Sequence, residues 1–488
     1  MSFHRSLVWT VAQFALVLAI ELAGLAVLAR LLTPQETGWF AAALAVLLLA
    51  QFVGGFGLFV AVQRAEALDA GFRANALAIA LTASGAVTAV LALLLALPSG
   101  ALIGRVPDAL LAAMLPLVLV NAVAILAHAE LLRARRFRCI FFVRLAGSAA
   151  YPACAVPLAA AGQGPAALLA GLAAASLVHC ALCLLATGGG FLVRPGFRGM
   201  GRTARLAGTV FAANAAQQAS ESLTPLLIGR IAGFAALGQF ARADDLVRQS
   251  RRVVQETVMP VLVPYVFAAA RERAALRPRY LAALGNLTAV SWPAAGLLAV
   301  LAQRLVAVLL GPQWAAVPEV LAILSALLAL FPVLAVSQIY LIALGRERQM
   351  LAVQLGATLL TLALVAALAG SGLAAACWAL VGAAALHALW RVRMVARRLG
   401  LGAGEIAAAL ARNLPLALAT VLPVAALSAA LSAALEGGLW RDLAVIGLSA
   451  PLAAGAWAAA IFGLGHPLAA EFRRLWPGAA GGDQPSAQ

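Results

Sequence analysis

From residue 7 to residue 463 the chain is one apolar run after another, each bounded by charges, glycine or proline. A helix needs about 20 mostly apolar residues to cross a bilayer, and one run in the middle fails that test. Phe240 to Glu256, FARADDLVRQSRRVVQE, places four arginines, two aspartates and a glutamate ahead of Thr257 to Ala270, an apolar stretch of 14 residues that cannot cross alone. If a helix crosses here, its charges lie inside the membrane and face protein or water rather than lipid. At helical spacing Asp244, Arg248, Arg251 and Gln255 share one face, flanked by Asp245 and Arg252. The other reading is an interfacial or loop segment whose charges are solvated.

Charged residues make up 11% of the 488 and hydrophobic residues 64%. A soluble domain carries roughly 25% charge, so this is an integral membrane protein, and no soluble stretch is long enough for a catalytic domain. The net charge of +16 comes from 34 basic residues that are all arginine. In a soluble protein that balance would point to nucleic acid. Here most of the arginines fall in short loops between apolar runs, the pattern of cytoplasmic loops, and no nucleic-acid partner is expected. Cys139, Cys154, Cys180, Cys183 and Cys377 lie in or beside apolar runs. Cys180 and Cys183 form a CxxC next to His179, but the second pair a zinc site needs is missing, and the cysteines read as structural, with no metal and no cofactor. The first run, Leu7 to Leu32, is longer than a signal h-region and reads as an uncleaved first span.

The runs predict an all-α polytopic protein of 14 transmembrane helices near 7–32, 37–62, 74–97, 109–131, 143–162, 165–186, 206–234, 239–270, 281–303, 316–343, 351–370, 373–395, 406–435 and 440–463. With the N-terminus in the cytoplasm and the sides alternating, most arginines fall on the cytoplasmic side, while Arg105, Arg304 and Arg441 remain opposite. If the eighth helix did not cross, every loop from Arg271 onward would change sides and the positive-inside bias would break. The eighth helix is therefore expected to cross, with both termini cytoplasmic and a disordered tail over 477–488.

The sequence also repeats itself. At an offset of 200, Glu21 falls on Glu221, Arg30 on Arg230, Gly38 on Gly238 and Phe40 on Phe240. At 211, Val106-Pro107-Asp108 falls on Val317-Pro318-Glu319 and Arg135 on Arg346. This suggests two six-helix bundles, 1–190 and 200–395, forming a parallel repeat about an axis along the membrane normal, with helices 13 and 14 (400–465) outside it. In such an architecture a substrate path lies between the halves. Glu21 sits deep in the first helix, on a face with Thr10 and Gln13. Glu221 sits deep in the seventh, clustered with Asn214, Gln217 and Gln218. An intramembrane carboxylate is either functional or hydrogen-bonded glue between helices. Arg30 and Arg230, near helix ends, read as interfacial anchors.

Three stretches carry a resemblance: Leu28 to Arg64, LARLLTPQETGWFAAALAVLLLAQFVGGFGLFVAVQR; Leu226 to Leu246, LLIGRIAGFAALGQFARADDL; and Leu309 to Leu324, LLGPQWAAVPEVLAIL. The chain resembles the polysaccharide, or oligosaccharide-lipid, flippases of the multidrug/oligosaccharidyl-lipid/polysaccharide (MOP) exporter superfamily over roughly residues 5 to 400. The charges at Asp244, Asp245, Arg251 and Arg252 depart from the pattern expected of its polysaccharide branch.

The resemblance implies a non-enzymatic transporter in the bacterial inner membrane. It would move a polyprenyl-diphosphate-linked glycan from the cytoplasmic to the periplasmic leaflet, with a polysaccharide polymerase as a possible partner. On that reading Arg248, Arg251 and Arg252 hold the diphosphate, because arginine offers fixed bidentate donors to phosphate. Asn214, Gln217 and Gln218 would contact sugar hydroxyls, and Glu21, Glu221, Asp244 or Asp245 would bind a coupling proton or sodium ion. The rivals are a cation-coupled multidrug exporter of the same superfamily, a membrane polymerase or ligase, and a non-transporting scaffold. An exporter predicts an acidic, aromatic cavity, an enzyme a large outward loop with catalytic Arg or His, and a scaffold no charges at mid-membrane depth.

Overall fold

The computed structural model describes residues 3–65, 67–96, 106–197, 200–271 and 276–469. The tail over 477–488, Arg105, Arg273, Arg473 and Arg474 lie outside them. The described chain is helical almost throughout: α1 (Phe3–Leu31), α2 (Pro34–Gly55), α3 (Leu58–Arg64), α4 (Ala70–Ala96), α5 (Asp108–Arg133), α6 (Phe137–Ala160), α7 (Pro165–Ala186), α8 (Met200–Ile231) and α9 (Phe234–Arg271). The remainder is α10 (Leu276–Val300), α11 (Ala302–Leu309), α12 (Val317–Ala343), α13 (Glu347–Leu368), α14 (Leu373–Leu399), α15 (Ala403–Ala411), α16 (Asn413–Ala434) and α17 (Leu439–Gly463). Eleven segments of the described chain are long and apolar enough to cross a membrane. The charged stretch from Phe240 to Glu256 does not break the backbone. It lies within α9, 38 residues long, or roughly 57 Å at 1.5 Å per residue.

Three expected helices are interrupted. The second breaks at Phe56 and Gly57, both with positive φ (40° and 70°). Phe56 is held there by stacking on Phe211, centroids 5.3 Å apart, and Phe52 stacks on the same ring at 4.9 Å. A Cβ on Gly57 would come within 2.2 Å of the Ala207 carbonyl oxygen, so this turn needs glycine both for its φ and for its contact with α8. The ninth breaks between α10 and α11, and the thirteenth at Arg412 between α15 and α16. The twelfth runs four residues past its expected end. Arg391, inside that expected helix, is buried within α14 and donates to the Leu334 carbonyl (3.1 Å) and to Gln338 Oε1 (3.2 Å).

The chain forms two compact units. The first comprises residues 1–242, 309–317 and 354–380. Its α2 starts with a capping box: Thr33 Oγ1 accepts from the Glu36 N–H (3.3 Å), and the Thr33 N–H donates to Glu36 Oε2 (2.8 Å), with Pro34 in the first turn. That is the physical content of Leu32-Thr33-Pro34 in the first of the three quoted stretches. Gly311-Pro312-Gln313-Trp314 in the third has an equally local explanation. Gln313 Nε2 (2.6 Å) and Trp314 Nε1 (2.8 Å) both donate to the Ala29 carbonyl. Ala29 sits in the last turn of α1, where a carbonyl lacks its intrahelical partner. Trp314 is completely buried, and the Arg242 guanidinium lies 5.5 Å from its ring centroid.

In the same unit the first turns of α2 and α9 meet backbone to backbone. A Cβ on Gly38 would fall 1.7 Å from the Phe234 carbonyl oxygen, and one on Gly238 would fall 1.8 Å from that of Pro34. The contact is reciprocal, and its members are related by the offset of 200 seen in the sequence.

The second unit comprises residues 243–308, 318–353 and 381–488. An apolar cluster joins Tyr280, Leu284 and Leu287 of α10 to Leu328, Val336 and Tyr340 of α12 and to Val395 of α14. Tyr280 and Tyr340 meet edge to face at 5.0 Å, and the Tyr280 hydroxyl is within 3.0 Å of Ser337 Oγ. Arg304 and Arg441, two of the arginines left on the sparse side of the alternation, both reach Asp442 Oδ1, at 2.6 Å and 3.5 Å. Both guanidiniums are thus ion-paired to one carboxylate.

Candidate functional site

In the first unit a polar strip runs along α8. Asn214, Gln217 and Glu221 are all exposed and stand at i, i+3 and i+7, so they share one open face. Gln217 Nε2 donates to Glu221 Oε1 at 2.6 Å. From α13, Gln354 Nε2 donates to Gln217 Oε1 (2.8 Å) and Thr358 Oγ1 to the Ala216 carbonyl (2.9 Å). The strip is thus held by a second helix. Gln218 turns away from it and donates to Ser222 Oγ at 3.0 Å, beside a serine that is buried. Gln354 and Thr358 were not among the expected site residues. Their signal is a polar i,i+4 pair inside an otherwise apolar run, which places both on one helix face.

On α1, the half-buried Glu21 accepts from Ser148 Oγ of α6 at 3.1 Å. The side chains of Thr10 and Gln13 lie outside the described ones. Arg30 and Arg230 sit in the last turns of α1 and α8, where a cation complements the helix dipole. The tightest ion pair of this unit was not read from the sequence. Arg73 of α4 makes a bidentate contact with Glu130 of α5 (3.1 and 2.5 Å) over the fully buried ring of Phe191.

In the second unit α9 carries the charges. Asp244, Asp245, Arg251 and Arg252 are half-buried, while Arg248 and Gln255 are exposed. Arg248 pairs with Asp244 one turn earlier, and Arg252 donates to Gln249 Oε1. Arg251 makes no ion pair among the described residues. Locally this is a helix that neutralises one guanidinium within itself and keeps others facing outward from its axis. Such groups bind an anionic oxygen cluster well, since a guanidinium offers five fixed donors and stays charged.

Fold and composition together define a polytopic helical membrane protein. The structure "Lipid II flippase MurJ, inward closed conformation" has the same fold, with a TM-score of 0.72 at 11% identity over 93% of this chain and 98% of that one. A multidrug resistance MATE family transporter of the MOP superfamily matches in its inward-facing conformation, with a TM-score of 0.59 at 14% identity over 80% of this chain and 95% of that one. A MATE transporter in the outward-facing conformation gives 0.52 at 15% identity over the same shares. No curated protein matches the sequence. A family model described as polysaccharide biosynthesis protein matches residues 27–319, and the chain belongs to that family.

Proposed function

We propose that the protein moves a polyprenyl-diphosphate-linked oligosaccharide, such as an exopolysaccharide, O-antigen or capsule unit, from the cytoplasmic to the periplasmic leaflet by alternating access. The observation that carries this reading is the run of guanidiniums at Arg248, Arg251 and Arg252 inside a continuous helix that belongs to a transporter fold. A diphosphate is costly to bring into hydrocarbon, and its passage needs fixed cationic donors within the membrane. The polyprenyl tail has no such need and stays in lipid.

On this reading Asn214 and Gln217 of the α8 strip, with Gln218 beside them, meet sugar hydroxyls, and Gln354 sets the orientation of Gln217. Glu21, Glu221, Asp244 and Asp245 are the candidates for binding a coupling proton or sodium ion. The chain would sit in a bacterial inner membrane with both termini cytoplasmic and hand its product to a polysaccharide polymerase. The similarity to a lipid II flippase supports a lipid-linked substrate, and membership of a polysaccharide biosynthesis family supports a glycan.

The test is flipping of a labelled polyprenyl-diphosphate sugar in proteoliposomes. Arg251→Gln combined with Arg252→Gln should bring transport to background while the amount of inserted protein stays the same. Unchanged transport rejects the assignment. Likeness to the MATE transporters favours a second reading, proton- or sodium-driven export of organic cations. Dye efflux that is independent of lipid-linked sugar and survives the double substitution would select it.

A further inference from the structure

Away from the α8 and α9 strips, the described residues contain one group of metal-ligating side chains: His128 on α5 with His179 and Cys183 on α7. His179 and Cys183 are four apart, so they stand one above the other on a single face of α7. Packing of α5 along α7 supplies the third member. Cys183 Sγ lies 3.6 Å from His179 Nε2 and 3.9 Å from His128 Nδ1, and the three donor atoms are all within 4.8 Å of one another. A tetrahedral zinc ion, with Zn–S about 2.3 Å and Zn–N about 2.0–2.1 Å, holds sulfur and nitrogen ligands about 3.6 Å apart. The two sulfur–nitrogen distances are therefore close to those of a zinc tetrahedron, and the two ring nitrogens, within 4.8 Å of each other, would close to about 3.3 Å around the ion.

A thiol has one proton to give, so as a donor it serves only one of two converging ring nitrogens. Cys183 is completely buried and packs with Ala127, Leu131 and Val143, which fixes the sulfur. The rings are also positioned: His128 stacks on Phe59 at 6.2 Å and leans on His179 at 5.2 Å. The fourth corner has somewhere to open. A cavity of about 210 Å3 is lined by both histidines together with Gln51 of α2 and Asn121 of α5. Asn121 is itself anchored to the Leu117 carbonyl at 2.8 Å. Three protein ligands and an open, polar fourth position form the pattern of an accessible zinc site rather than a closed structural one. Zinc binding would displace the Cys183 proton to water, so that a thiolate joins the coordination sphere.

We propose that His128, His179 and Cys183 form a zinc site with one exchangeable position open to this cavity. The CxxC read from the sequence supplies one ligand, Cys183. Cys180 is not one of the three, and the ligand besides His179 and Cys183 comes from α5. Zinc bound here ties α5 to α7 and places an electrophilic cation against the cavity wall.

The test uses tag-free, full-length protein in detergent, with cobalt(II) as the spectroscopic probe and zinc as competitor. One cobalt per chain is expected, with tetrahedral d–d bands and a thiolate-to-metal charge-transfer band, displaced by equimolar zinc. Cys183→Ser should abolish the charge-transfer band, and Cys180→Ser should leave it intact. His128→Gln should weaken zinc binding at least about 10-fold. Size-exclusion profiles check folding; if Cys183→Ser aggregates, the wild type, Cys180→Ser and His128→Gln decide the matter. The proposal is overturned if stoichiometric cobalt gives no charge-transfer band, if Cys180→Ser removes the band, if His128→Gln binds zinc as wild type does, or if only copper(I) is retained.

Discussion

Adding one methyl group at Gly38 is a severe test of the packing in the first unit. The Cβ of Gly38→Ala would lie 1.7 Å from the Phe234 carbonyl oxygen and 2.6 Å from its carbon. An ordinary close C···O contact is about 3.3 Å, so the first turns of α2 and α9 must separate by roughly 1.5 Å. The obstacle is backbone, which cannot rotate aside as a side chain does. Overpacking of this kind costs about 1–3 kcal/mol. For a chain of this size that lowers the apparent melting temperature by a few °C, on the order of 5 °C, measured in detergent at one fixed scan rate. Gly85→Ala is the control. Gly85 lies inside α4 with open space where its Cβ would go, so alanine there should gain about 0.5–1 kcal/mol from helix propensity. The two contact glycines should also be coupled. Once Gly38→Ala has parted the helices, Gly238→Ala should cost less than it does alone. A Gly38→Ala protein that melts with or above the wild type, or single effects that simply add, would refute the close-contact account.

Three further outcomes follow from other contacts. Arg73→Leu strands Glu130 in a site where only 16% of its side chain is exposed. It should destabilise by about 2–4 kcal/mol in denaturant or thermal unfolding, and Arg73→Leu with Glu130→Leu should recover most of that loss. His466, in the turn after α17, is buried, and Nδ1 accepts the Leu468 N–H at 3.2 Å. Burial, aided by Arg412, holds its pKa below the usual histidine value. The unfolded chain therefore takes up the proton first, and stability present above about pH 6.5 is lost on acidification, by at most about 1.4 kcal/mol per pH unit. His466→Gln should flatten the melting temperature between about pH 7 and 5; an unchanged slope would contradict this. Trp314→Phe removes one donor to the Ala29 carbonyl but keeps the ring beneath Arg242. It should cost about 1 kcal/mol, with Trp314→Ala several times worse in the same melting assay.

What the sequence disclosed and what it concealed divide along a physical line. Features governed by local spacing were legible. α7 spans the residues the apolar pattern predicted, α12 begins one residue later than expected, and the arginines of α9 lie on one continuous helix, within the helix expected over 239–270. Features created when helices meet were not legible. Nothing in the run before Arg64 requires Phe56 to adopt a left-handed turn, since its support is the ring of Phe211 on another helix. Gln354 reads as a lone polar residue until α13 lies against α8. His128 has no partner within its own run, and Cys183 had only His179 and Cys180 of its own helix to suggest a role. For the candidate site, therefore, the charges and amides of α8 and α9 could be read, but not the side chains that hold them.

The clasp on the end of α1 also sets a timetable for biogenesis. Gln313 follows Ala29 by 284 residues. At a translation speed of about 5–20 residues per second, the first segment waits roughly 15–60 s before its final carbonyl receives those donors. Over that interval the nascent chain has an unfinished helix end that insertase, lipid headgroups or water must tolerate. A ribosome stalled before Trp314 emerges should leave the terminus of the first span open to protease or amide exchange, while one stalled well beyond it should not.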